Sequence, residues 1–85
     1  MNDFLKTLYL VRSLGSGPLS SAELQAGLDV SRATVNRYIA EARHLGADIR
    51  PEQGNRAWLY VLRNWPACEA KVRRWIELEE GRTFI

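Results

Sequence analysis

The sequence predicts a small, mainly α-helical domain with one β-hairpin. In four segments apolar residues recur every three or four positions, which is helical spacing. Between residues 47 and 62 two strand-like segments flank a Gly-Asn turn instead, and on the second of them Trp58, Tyr60 and Leu62 alternate with Ala57, Leu59 and Val61. The 85 residues suffice for one domain with a modest core, and the composition, 46% hydrophobic and 26% charged, is that of an ordinary globular protein.

The first helix is predicted over the stretch NDFLKTLYLVRSLG, and Gly15, Gly17 and Pro18 end it. Its apolar stripe is wide, because Tyr9 and Leu10 extend it beyond one buried face. Two explanations are open for these two residues. They cover a second surface, such as a partner chain, or they are exposed to solvent, which is common for single apolar residues.

A short second helix and a longer third helix follow, joined by a tight turn. Ser20 with Glu23 three residues later is a capping-box pattern and marks the start of the second helix. Ser31 is the expected cap of the third helix, and Gly46 is expected to end it. One side of the third helix is predicted to face the core: Val35, Tyr38, Ile39, Ala42 and Leu45.

The stretch ADIRPEQGNRAWLYVL is predicted to form the hairpin. Gly54 and Asn55 tolerate a positive φ and are expected to form its turn. Pro51 confines the outgoing strand to a sheet edge, since proline cannot donate a ladder hydrogen bond. Asn64 is the expected cap of a last helix, which Gly81 is expected to end. This order predicts a winged helix-turn-helix with an additional C-terminal helix.

In such a fold the third helix can enter the major groove of DNA. Its outer side carries the small residues Ala33 and Ala40, which allow a close approach to the bases. Asn36 and Arg37 can bond to bases or phosphates. The helix N-terminus, with Ser31 and Thr34, offers hydrogen-bond donors to a phosphate.

The run SRATVNRYI resembles the recognition helix of the lac-repressor family, which carries a similar Ser-x-x-Thr-Val-x-Arg motif. From about Leu5 to Leu62 the chain resembles the N-terminal winged helix of deoxyribose-operon-repressor (DeoR) type and WYL-domain regulators. The resemblance implies base contacts by Arg32, Ala33 and Arg37. It implies phosphate contacts by Ser31, Thr34 and Asn36.

The predicted DNA contacts fall into three groups. Asn36, whose amide can bond to either partner, is counted with the bases. The base contacts are Arg32, Ala33, Asn36 and Arg37; the phosphate contacts are Ser31, Thr34, Arg43 and His44; the wing contacts are Arg50, Gln53, Asn55 and Arg56. A solvated wing tip, and for His44 simple exposure to solvent, are the alternatives.

The charge distribution agrees with a nucleic-acid partner without requiring one. The net charge is only +2, but residues 31–63 contain six arginines against three acidic residues. Such an excess is also common on a solvated face. The single cysteine, Cys68, has no disulfide partner in the chain and no zinc-ligand spacing, so we expect it in the core and expect no metal or cofactor.

Other protein classes fit the sequence less well. It contains no Ser/His/Asp set and no glycine-rich phosphate loop, so we do not expect an enzyme. It shows no signal peptide and no apolar run that could span a membrane, so we expect a cytoplasmic protein without a membrane partner.

These observations predict two regions, a DNA-binding domain at residues 1–63 and a C-terminal helix and tail at residues 64–85. We expect a repressor that binds an inverted-repeat operator as a homodimer, since one winged helix contacts only a half-site. The predicted dimer contacts are Trp65, Val72, Trp75 and Ile76; alternatively, this helix packs on the first helix of its own chain. The sequence shows no effector-binding region, so we expect the abundance of the protein, or a partner protein, to control its activity. The alternative function is a winged-helix protein-interaction module.

Overall fold

The computed structural model describes residues 3–83 and contains four helices and three strands in that part of the chain. The elements are α1 (Asp3–Gly15), β1 (Leu19–Ser20), α2 (Ser21–Leu28), α3 (Arg32–His44), β2 (Ile49–Gln53), β3 (Trp58–Leu62) and α4 (Trp65–Thr83). The predicted fold class is confirmed: the chain is mostly helical and forms a winged helix-turn-helix with a C-terminal helix.

The sheet has one strand more than the sequence predicted. Its order is β1-β3-β2 and both pairs are antiparallel, with Leu19 opposite Tyr60 and Ile49 opposite Leu62. β1 is only two residues long, too short to show an alternating pattern. β2, which contains Pro51, lies at the edge of the sheet as predicted.

The turn of the hairpin includes Gly54 and Asn55, as predicted, but its backbone conformation differs from the one expected. Neither Gly54 nor Asn55 has a positive φ. Instead, a four-residue connection from Gly54 to Ala57 is closed by the Gly54 N–H, which donates to the Ala57 carbonyl at 2.9 Å. A side chain would be crowded here, because a Cβ at residue 54 would lie 3.0 Å from both the Ala57 oxygen and the Leu59 Cδ1.

α1 lies at the centre of the molecule and packs against α3, α4, α2 and β3. This position explains its wide apolar stripe. Leu10 is 0% exposed within its own chain, so neither a partner surface nor solvent explains it. Tyr9 is half-buried, and its hydroxyl donates to the Glu80 carboxylate of α4.

α4 begins directly after Asn64, as predicted, but its cap and its end differ from the prediction. The Asn64 side chain does not cap the helix: its Oδ1 accepts from the Asp48 N–H at 2.9 Å, and its Nδ2 donates to the Gly46 carbonyl at 2.9 Å. It therefore holds the start of α4 against the connection between α3 and β2. Gly81 does not end the helix, which continues to Thr83. Cys68 is buried, as expected.

The residues predicted for the dimer interface lie instead in or against the core of their own chain. Val72 and Ile76 are 4% and 3% exposed in the single chain, so they offer almost no surface to a partner. Trp65 and Trp75 are half-buried, and the Trp75 ring packs against Phe4 of α1 with ring centroids 6.1 Å apart. The alternative is confirmed: α4 packs on α1, and its apolar residues bury the apolar side of α1 that faces them.

In the part of the chain from residue 3 to residue 83, no helix combines the length and the apolar character needed to cross a membrane.

Candidate nucleic-acid interface

Both ends of α2 are held by local hydrogen bonds. The predicted capping box is present: the Ser20 hydroxyl accepts from the Glu23 N–H at 3.1 Å, and the Glu23 carboxylate accepts from the Ser20 N–H at 3.0 Å. At the other end of α2, Asp29 takes a left-handed conformation with φ 55° and its N–H donates to the Gln25 carbonyl. The Asp29 bond, together with a bond from the Val30 N–H to the same carbonyl at 3.1 Å, closes the end of α2 just before α3 begins.

The N-terminus of α3 is capped as the sequence predicted. The Ser31 hydroxyl accepts from the Thr34 N–H at 3.2 Å and lies 3.1 Å from the Thr34 hydroxyl. Ser31 is therefore engaged in the cap, and its exposed position also leaves it at the surface where a phosphate could approach. Thr34 is half-buried.

α3 has one buried side and one exposed side, as predicted. Val35, Tyr38, Ile39 and Ala42 are buried, and Leu45 at the helix end is half-buried. The exposed side carries short or hydrogen-bonding residues over its whole length: Arg32, Ala33, Asn36, Arg37, Ala40, Arg43 and His44. The contrast leaves one polar helix surface available to an external partner.

Arg37 has a partner within the chain that the sequence did not indicate. Its Nη2 lies 3.1 Å from the Asp3 carboxylate at the start of α1. The other oxygen of Asp3 accepts from the Tyr38 hydroxyl at 2.9 Å. Burial and this hydrogen bond raise the pKa of Tyr38. Asp3 thus holds two neighbouring side chains of α3.

Asp3 is expected to weaken DNA binding, because its carboxylate competes with DNA for Arg37 and adds negative charge beside the exposed side of α3. Both side chains are more than 60% exposed, so the pair is weak and contributes at most about 1 kcal/mol. Asp3→Asn should therefore raise the affinity for duplex DNA by up to about fivefold at low salt. Fluorescence anisotropy with labelled DNA measures this change.

Glu77→Gln is the matched control, since it removes the same charge from an exposed position on α4. We expect it to change the affinity much less than Asp3→Asn. Equal effects of the two variants would show that Asp3 acts only through the net charge of the protein.

Asn36 connects α3 to the sheet. Its Oδ1 lies 3.4 Å from the hydroxyl of Tyr60 on β3, at the long limit of a hydrogen bond. Sequence reasoning placed Tyr60 in a strand but gave it no part in the site, because nothing in the pattern indicates which helix the strand faces. The contact places the face of β3 that carries Tyr60 beside the exposed side of α3.

Arg43 was predicted to contact phosphate, but it has a structural partner in the free protein. Its Nε and Nη2 both donate to the Ile49 carbonyl, at 3.1 and 3.0 Å. The guanidinium therefore ties the end of α3 to the first residue of β2. His44 is exposed at the C-terminal end of α3.

The wing residues divide into paired and unpaired groups. Arg50 forms an ion pair with Asp48 at 3.0 Å, and Arg63 pairs with Glu52 at 3.0 Å. Three predicted contact residues are exposed at or beside the tip: Gln53, Asn55 and Arg56. The tip therefore keeps its hydrogen-bonding side chains available, while Arg50 is held by its neighbour.

A helix pair with a capped second helix, a polar outer side on that helix and an adjacent wing is the arrangement of DNA-binding helix-turn-helix proteins. A family model described as HTH domain, HTH_11, matches residues 5–55, more than half of the chain. The chain belongs to this helix-turn-helix family. The match begins in α1 and ends at the tip of the wing, so β3 and α4 of this HTH domain lie outside it. Comparison with curated proteins finds no match, and comparison with solved structures finds none either.

Membership in the family supports DNA binding by this HTH domain. In the fold, α2 and α3 form the helix-turn-helix pair, and α3 is the helix that would enter the major groove. The residues predicted for base contact, Arg32, Ala33, Asn36 and Arg37, all lie on its exposed side.

Proposed function

We propose that the protein is a sequence-specific regulator of transcription that binds double-stranded DNA, a repressor that recognises an inverted-repeat operator as a homodimer. The observation that carries the proposal is the exposed side of α3. Between Arg32 and His44 this side holds alanine, asparagine, arginine and histidine and no large apolar residue. A helix that docks on a protein needs apolar anchors, whereas these residues suit the polar edges of base pairs.

Each part of the interface has a proposed role. Arg37 and Arg32 supply donors to guanine, Asn36 bonds to adenine or a phosphate, and Ala33 permits close approach to the bases. Ser31, Thr34 and His44 contact phosphates next to the groove. The wing residues at 50, 53, 55 and 56 contact the backbone or the minor groove. In this proposal Arg37 leaves its ion pair with Asp3 when it binds DNA.

The proposal is tested by selecting bound fragments from fragmented genomic DNA of the source organism at roughly physiological salt, where non-specific phosphate binding is weak. We expect enrichment of a short inverted repeat. Enrichment upstream of coding regions whose expression rises when the protein is removed supports repression. If the folded protein enriches no sequence, the proposed function is wrong.

The homodimer has a separate test. Leu78 of α4 is 52% exposed, unlike the apolar residues of α4 that pack on α1. If α4 carries the contact between copies, Leu78→Glu should convert a particle of twice the 9.7 kDa chain mass into a monomer in sedimentation. Circular dichroism should show that the variant is still folded, because Leu78 is not part of the core of its own chain. A wild-type monomer at all concentrations, also when bound to the operator, would contradict the homodimer.

A winged-helix protein-interaction module is the second candidate, and exposed apolar Leu78 is the observation that favours it. In that case α4, and not α3, would be the binding surface. Variants of Leu78 would then abolish binding to a partner protein, while variants of Arg37 would not. We also propose that the activity of the regulator is controlled by its abundance or by a partner protein. Binding assays with the Leu78 variants test the second of these. The DeoR-type relationship is likewise part of this proposal.

A further inference from the structure

Trp58, the first residue of β3, has an exposure that the fold does not explain. The residue is 62% exposed, more than any other large hydrophobic residue within residues 3–83. Tryptophan normally buries a large area in a core or an interface. At this position most of that area stays in water in the free protein.

The strand geometry shows which face Trp58 occupies. Alternate residues of a strand lie on the same face, so Trp58 shares a face with Tyr60 and Leu62. Both of these pack against the core, and Tyr60 also reaches Asn36 of α3. Trp58 lies two residues further toward the tip, about 7 Å along the strand. It therefore extends the surface formed by α3 and the wing beyond the end of the core.

The neighbours of Trp58 are polar. Gln53 is directly opposite on β2, and Asn55 and Arg56 are exposed in the connection before it. A protein-docking patch is a contiguous apolar area of a few hundred Å², whereas Trp58 is a single ring among hydrogen-bonding side chains. Minor-groove binding combines the same two elements, polar or basic side chains and an apolar residue packed into the groove.

We propose that Trp58 is a DNA contact of the wing, packing against the deoxyribose rings of the minor groove beside the half-site that α3 contacts. This inference rests on the proposed function and adds a residue to it. Because the indole carries no charge, its contribution releases no counterions and is independent of salt. Arg56, two residues earlier, would contact phosphate and contribute a salt-dependent term.

The test compares Trp58→Ala, Trp58→Phe and Arg56→Ala in anisotropy titrations with the selected duplex over a range of salt concentrations. Trp58→Ala should lower the affinity about three- to tenfold with the slope of log K against log salt unchanged. Trp58→Phe should retain most of the affinity. Arg56→Ala should lower the slope by about 1. Unchanged melting temperatures show that the variants fold.

A second measurement uses the fluorescence of Trp58 itself. Addition of the duplex should change the emission of the wild-type protein, and this change should be lost in Trp58→Phe, which keeps Trp65 and Trp75. If Trp58→Ala binds the duplex as tightly as wild type, the inference is wrong and the proposed function stands. A different outcome is that wild type binds no duplex but binds a protein partner that Arg56→Ala and Trp58→Ala do not bind. In that case both the inference and the proposed function are wrong.

Discussion

Replacing Arg37 with alanine should sharply lower the discrimination between operator and unrelated DNA. A bidentate arginine–guanine contact contributes about 1–3 kcal/mol of discrimination. Arg37 is in the middle of the exposed side of α3, and its side chain is 62% exposed in the free protein. Its contacts there are the surface pair with Asp3 and the ring of the neighbouring Tyr38. Loss of the side chain should therefore cost little stability. Competition titrations with operator and scrambled duplexes measure the expected change.

Two further variants separate base recognition from charge. Arg37→Lys keeps the positive charge but lacks the planar fork, so it should lose discrimination while retaining most non-specific affinity. Arg56→Ala should weaken binding to all sequences and leave discrimination intact. If Arg37→Ala and Arg56→Ala reduce discrimination equally, α3 is not the element that recognises bases.

Replacing Gly15 with alanine should destabilise the protein, although alanine normally favours a helix. Gly15 is the last residue of α1, and a Cβ there would lie 2.5 Å from two ring atoms of Trp65, the first residue of α4. The ring is half-buried against the core and must shift. Overpacking of this kind costs about 1–3 kcal/mol. Urea denaturation should show the loss, together with a lower melting temperature.

Gly27→Ala is the matched control, because nothing lies within 4 Å of the added methyl group. Gly27 lies inside α2, so alanine should stabilise the protein by about 0.5–1 kcal/mol. A double-mutant cycle with Trp65→Ala identifies the cause: Gly15→Ala should cost much less in that background. An equal cost in both backgrounds would mean that Trp65 is not responsible.

The local features of this fold could be predicted because they depend on neighbours in the sequence. The capping box of Ser20 and Glu23, the cap at Ser31 and the buried side of α3 all follow from spacing within one or two helical turns. Pro51 was correctly placed on an edge strand, since it lacks a ladder donor. The errors occurred where a short element has no period, as in β1, or where a local preference is overruled, as at Gly54 and Gly81.

The sequence by itself determined the order of the four helices and the hairpin, the polar side of α3 and hence the class of partner that this helix suits. Only the tertiary structure decided how the exposed arginines are used. Asp3 meets Arg37 from 34 residues away, and the Ile49 carbonyl engages Arg43. It also decided that Val72 and Ile76 cover α1 instead of a second chain. An apolar stripe shows that a helix face is covered, but which surface covers it depends on how the distant elements pack.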